Sequence, residues 1–309
     1  MKTKKVRYCL LSNDVETTSI WYNTLRDETA VKVLEEGMPL LLDLYAKYNI
    51  KTTFFFTGYI ARLLPRIVKM VLPYGHEVAS HGMSHNKEDG FDILSLKNQK
   101  KHLRDSKMIL EDLSGQEVIS FRAPALRVNS YTVHALEECG FKIDSSIASQ
   151  RFDMFLSYGG LQKTKWLTAP RLPYRASKGS LFKKGESNII EVPLSALLMP
   201  YISTTMRIFP LLTRIQKRIL NTETGITGKP HVFLIHPNEL IDESSEQEII
   251  NRRANYYLNY LLADLLRRKL KLKNLGPDSI QLYETIIQFY IRNKYSFATL
   301  KDYCSKLDL

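Results

Sequence analysis

The chain has 309 residues, 44% of them hydrophobic and 25% charged, with a formal charge of +12. That composition is globular, and no run of about 18 uninterrupted apolar residues marks a membrane-spanning helix. The positive surplus favours anionic partners, but the basic clusters at 2–5, 97–104, 207–218 and 267–273 accompany no zinc-finger or RNA-recognition signature, so nucleic acid is not an expected partner.

The N-terminus, MKTKK, is basic. The apolar run after it covers only about 6–11 and contains Arg7, too short for a signal-peptide core, so the expected location is the cytoplasm. Cys9, Cys139 and Cys304 lie far apart with no CxxC, which fits a reducing compartment. Residues 6–12 read as a buried strand, followed by polar Asn13, Asp14 and Glu16. Apolar positions at helical spacing predict a helix over 29–48, ending near Asn49. Residues 52–57 (TTFFFT) are a strand by β-branched and aromatic content. A short helix is expected over 60–73 with Pro65 near its first turn, then a strand over 76–80. Residues 92–113 predict a long amphipathic helix, 119–121 a strand, 130–139 a helix ended by Gly140, and 142–144 another strand. Residues 150–190 read as an irregular insertion, 196–222 and 245–291 as helical segments, and 295–307 as a closing strand and helix. His231-Val-Phe-Leu-Ile is an apolar strand that delivers His236 at its end.

Strand–helix alternation with short connections predicts a parallel α/β sheet or barrel in one domain spanning 1–309. The chemistry-bearing residues Asp14, His81, Arg122, Asp144 and His236 all fall at strand ends, where α/β barrels carry their sites.

His81-Gly-Met-Ser-His85 places two histidines four apart, which on a helix would share one face and could bind one ion. Asp14 and Glu16 supply carboxylates just past the first strand, although Asp14 could also cap a turn. A His-His-carboxylate set is the usual form of a hydrolytic zinc site. Arg122, two residues before Pro124, could hold a neighbouring carboxylate ionised or lie on the surface. Asp144 could cap a helix, and His236 could be an acid near the site or a core group. His76 and His231, at the opening ends of their strands, read as structural.

In this order the segments resemble the polysaccharide deacetylase family, in its acid-x-acid first-motif branch. Asp14-Val15-Glu16 is similar to the first motif, HEVASHGMSH to the second, Arg122-Ala-Pro124 to the third, Asp144-Ser145 to the fourth and Leu234-Ile-His236 to the fifth. The resemblance implies a distorted (β/α)7-type barrel with parallel strands, plus a helical insertion and C-terminal extension. It implies a metal-dependent hydrolase that removes an acetyl or formyl group from an N-acylated sugar. One divalent ion, Zn2+ by its ligand types, is expected on Glu16, His81 and His85, with Asp14 as the base; an alternative keeps Asp14 as the ligand. Arg122 is expected to hold Asp14, His236 to act as the acid, Asp144 to raise the pKa of His236, and Pro124 to meet the substrate. The family's first motif has two adjacent aspartates, and aromatic residues often present near its third and fourth motifs are missing here. These departures leave a non-catalytic glycan-binding relative as the alternative. A substrate that is a cytoplasmic or lipid-linked precursor is expected. The segment 196–220, apolar and then basic, reads either as a core helix with a solvated end or as a stretch in contact with an anionic membrane.

Overall fold

The computed structural model describes residues 6–151, 160–243 and 267–309. Its main sheet is built from β1 Tyr8–Val15, β2 Thr53–Phe56, β3 Glu77–Ser80, β4 Ser120–Phe121, β5 Ile143–Asp144, β6 Tyr174–Ser177, β7 Ser180–Lys184, β8 Ile190–Glu191, β9 His231–Ile235 and β10 Ser296–Phe297. The strand order is β9-β1-β2-β3-β4-β5-β8-β6-β7, with β10 beside the start of β1. From β9 to β8 every pairing is parallel; β6 and β7 are an antiparallel hairpin added at the edge. The distorted seven-stranded barrel implied by the motifs is therefore borne out.

The barrel nearly closes between β8 and β9. There Ser195 N donates to Val232 O (3.1 Å), Ser195 Oγ accepts from Val232 N (3.0 Å), and Ile202 bridges Leu234. Strand β1 is buried from Cys9 to Val15, as a parallel strand covered on both faces must be. Its outward residue Asn13 accepts from Tyr45 Oη (2.6 Å) on the helix Met38–Lys47 and so ties sheet to helix layer.

Several expected elements break where proline intervenes. The helix expected over 60–73 is two, Gly58–Leu63 and Arg66–Lys69, because Leu64 before Pro65 leaves the helical region at φ −132°. The segment 196–222 opens instead as a hairpin of Ala196–Leu197 against Met199–Pro200. Two helices follow it, Ser203–Ile208 and Pro210–Thr227, separated by Phe209 at φ −129°. Within 150–190, the hairpin β6–β7 replaces irregular chain; Tyr174 and Ala176 alternate inward while Arg175 and Ser177 are only half-buried. The C-terminal expectation holds for the helix Pro277–Arg292, strand β10 and the helix Leu300–Cys304. The part of the 245–291 segment that includes Tyr256, Leu258, Leu261, Leu262 and Leu265 lies outside the described residues. No helix among the described residues is long and apolar enough to cross a membrane.

Candidate active site

Strand register brings the candidate residues to one end of the barrel. Asn13 pairs with Ile235, so Asp14 and His236 follow at the same level on neighbouring strands. Ser80 pairs with Phe121, and Phe121 with Asp144, which sets His81, Arg122 and Ser145 in the next row. Along β1 the side chains alternate, so Ser12 and Asp14 share the inward face, with Glu16 next in that series.

Arg122 is fully buried. Its Nη1 donates to Asp14 Oδ1 (2.8 Å) and Ser12 Oγ (2.9 Å), its Nε to Ser145 O (2.9 Å) and its Nη2 to Ser145 Oγ (3.0 Å). The guanidinium carbon lies 4.2 Å from the centroid of the Phe55 ring. A buried cation with this many acceptors is fixed in place, and it fixes Asp14. Burial alone would raise the Asp14 pKa, but Arg122, His81 and His236 outweigh it and hold the carboxyl below its ordinary value.

His81 and His85 lie in a loop after β3 and not on one helical face, contrary to the expectation from their spacing. Gly82 makes that loop possible: its φ is +66°, and a Cβ there would sit 3.2 Å from Pro124 Cγ. Pro124, expected against the substrate, is buried, and its ring supports this loop. The loop turns His81 Nε2 to 2.9 Å from His85 Nε2, while His85 Nε2 is 2.6 Å from Glu16 Oε2.

Glu16, His81 and His85 have ligand atoms all within 4.8 Å of one another. Their chemistry fits a divalent ion. His81 Nδ1 is 2.8 Å from Arg122 O and donates to it, so the tautomer leaves the Nε2 lone pair toward the cluster. Burial drives the His81 pKa down to about 4, against the pull of Asp14, so the ring is a neutral ligand at physiological pH. Burial opposes the charge on Glu16, yet His85 above all holds it down to about 2. Asp14 stands just outside this set, its Oδ2 3.6 Å from His81 Nε2.

His236 ends β9, but the carboxylate beside it is not Asp144. Asp144 accepts from Ser146 N (3.1 Å) and Ser146 Oγ (2.8 Å), and burial raises its pKa even though Glu191 hydrogen-bonds to it. It serves the β5 turn that places Ser145 against Arg122. The partner of His236 is Glu239, whose Oε2 lies 3.9 Å from His236 Nδ1. Glu239 is buried and accepts through Oε1 from Arg207 Nη2 (2.9 Å) and Thr204 Oγ1 (2.6 Å). Burial would discharge both groups. Arg207 nevertheless keeps Glu239 well below the carboxylate range, and Glu239, Asp14 and Glu16 together lift His236 to about 9. A cavity of about 130 Å3 opens here, between Glu16, His236, Thr204, Arg207 and Lys271.

Sequence reasoning missed Glu239, Arg207, Ser12 and Ser145. The signal for Glu239 was its place three residues after His236, across Pro237; Arg207 was counted as surface charge but is buried. His76 and His231 are structural as expected: His76 Nδ1 accepts from Thr52 N (3.2 Å), and His231 meets Tyr290 Oη (2.7 Å) and Tyr295 Oη (3.2 Å).

A parallel α/β barrel with two histidines, two carboxylates and a further histidine at one end is the kind of arrangement that hydrolytic metal centres use. The family model described as polysaccharide deacetylase matches residues 19–143. His81, His85, Arg122 and Pro124 fall within the matched span; Asp14, Glu16, Asp144 and His236 lie outside it. A peptidoglycan deacetylase of Helicobacter pylori (strain ATCC 700392 / 26695) is 31% identical over 118 residues, 38% of this chain and 39% of that protein. The chain thus covers about two-fifths of that relative. A solved Mycobacterium smegmatis structure described as a polysaccharide deacetylase aligns over 97% of this chain and 95% of its own, with a TM-score of 0.54 and 17% identity. Puue allantoinase aligns over 96% and 89%, with a TM-score of 0.57 and 16% identity. These two likenesses are of fold, and a fold does not choose a substrate.

Proposed function

We propose that the protein is a metal-dependent carbohydrate N-deacylase that removes an acetyl or formyl group from an N-acylated sugar, in a cytoplasmic or lipid-linked glycan precursor. The observation that carries this reading is a base and an acid held in opposite protonation states beside one ligand set. Asp14 is ionised against Arg122, His236 is protonated near Glu239, and Glu16, His81 and His85 stand between.

Glu16, His81 and His85 would hold a divalent ion, Zn2+ by ligand type, and the chemistry it supplies when bound is polarisation of an acyl oxygen and a lower pKa for water. The rest belongs to side chains. Asp14 accepts the proton of a water that attacks the acyl carbon, and Arg122 keeps Asp14 ionised and aimed. As the carbon–nitrogen bond breaks, His236 gives its proton to the leaving amine, so acid and free amino sugar depart as separate products. Glu239 returns the charge balance by favouring the imidazolium.

Support for a sugar substrate comes from the family model matched over 19–143 and from the Helicobacter pylori relative, a peptidoglycan deacetylase. The test pairs metal analysis with acetate and formate release from N-acylated sugars. Wild type should hold about one metal ion per chain and release acid. His81→Ala with His85→Ala should lose both. Metal-free wild type that neither takes up zinc nor releases acid would overturn the reading.

A further inference from the structure

The helix Pro210–Thr227 carries an apolar stripe that stays exposed among the described residues. Its core face is Thr213, Gln216, Leu220 and Thr224, all buried. On the opposite side Leu211 is 68% exposed, Ile215 and Ile219 48% each, and Ile226 81%. Spacings of four, four and seven residues place these four on one face. The sequence alone left this segment open between a core helix and an interfacial one; the burial pattern puts Leu211, Ile215, Ile219 and Ile226 in solvent.

Charge says what covers the stripe. Arg214 and Arg218 are exposed along one edge of it, Arg218 one turn-pair after Leu211. With Lys217 and Arg292 they form a cluster of cations. After burial, the repulsion of Arg214, Arg218 and Arg292 accounts for a Lys217 pKa of about 8, with no carboxylate among the causes.

From these we infer that the face formed by Leu211, Ile215, Ile219 and Ile226, edged by Arg214 and Arg218, docks on an anionic membrane surface. Apolar side chains enter the headgroup boundary while the arginines meet lipid phosphates. A second copy of the chain is a poorer occupant, because a two-fold contact through this face would bring the cation clusters together. The stripe starts three residues after Ile208, the end of the helix whose Thr204 and Arg207 hold Glu239 beside His236. The docking itself does not depend on the proposed reaction.

The experiment is flotation of the full chain with phosphatidylcholine vesicles, with and without phosphatidylglycerol, across a salt series. Wild type should float with the anionic vesicles only, and less as salt rises. Arg214→Gln with Arg218→Gln should bind roughly thirty-fold more weakly. Leu211→Ser with Ile215→Ser should lose binding at all salt concentrations, with circular dichroism and metal content unchanged. Absence of flotation, equal flotation with neutral vesicles, or wild-type binding by both variants would overturn the inference. So would concentration-dependent dimerisation that the Leu211→Ser and Ile215→Ser changes abolish without any vesicle binding.

Discussion

At the scale of single residues, the site separates two jobs that a carboxylate could do. Glu16 reaches the histidine cluster, and Asp14 is turned away toward Arg122. Asp14→Asn should therefore lower turnover by roughly 10²–10⁴-fold while metal content stays near that of wild type, since the amide cannot accept the proton of water. Elemental analysis beside acid release checks both halves; loss of the metal in this variant would make Asp14 a ligand instead. Glu239 yields a prediction of pH dependence. In the proposed reaction His236 works as the acid only while protonated, and its pKa is lifted to about 9, so activity should persist below that pH and fall as pH rises through it. Glu239→Gln removes the main raising partner, so the alkaline limb should move down by about one pH unit or more. A pH profile of kcat/KM that keeps its wild-type limb in this variant would remove Glu239 from the role. Gly82→Ala should cost about 1–2 kcal/mol in urea unfolding, because alanine resists a left-handed φ and its methyl meets Pro124.

At the scale of elements, what was legible in the sequence was what strands deliver. Asp14, His81, Arg122 and His236 were identified because each follows a short apolar run, and the parallel register then brings them to one barrel end. Glu239 and Arg207 were hidden for the opposite reason. Arg207 sits on a six-residue helix between Met206 and Ile208, and nothing local distinguishes a buried arginine from a solvated one. Only the fold brings it onto Glu239 and onto the carbonyls of Lys271 and Lys273, each at 2.8 Å. Asp144 was misassigned because a strand-end carboxylate looks the same whether it faces a histidine or caps its own turn. Prolines 65 and 210 marked the helix breaks in plain sight, since each restricts the residue before it. Arg207→Leu should destabilise the chain by about 3–5 kcal/mol, because it strands a buried carboxylate. Urea unfolding measures this, and a change within 1 kcal/mol or so would mean that Glu239 is rescued by water.

At the scale of the whole molecule, the centre joins parts of the chain that are far apart in sequence. Glu16 follows β1, His81 and His85 follow β3, and Arg122, which fixes His81 through its carbonyl, follows β4. These elements lie in the consecutive run β1-β2-β3-β4 of the sheet, on the part of the barrel opposite its weak seam at Ser195. An ion held by both loops would thus clamp the well-paired side of the barrel and be absent from the unfolded chain. Binding that favours the folded state adds stability by mass action, about 2.7 kcal/mol when the free ion is a hundred-fold above its Kd. Zn2+ should then raise the Tm of wild type by roughly 4–8 °C, and a chelator should reverse the rise. His81→Ala should melt at the same temperature with or without Zn2+, because it loses both a ligand and the bond to Arg122 O that orients the loop. A wild-type Tm indifferent to Zn2+, Co2+, Ni2+ and Mn2+ alike, or an equal rise in His81→Ala, would show that this cluster is not where the ion acts.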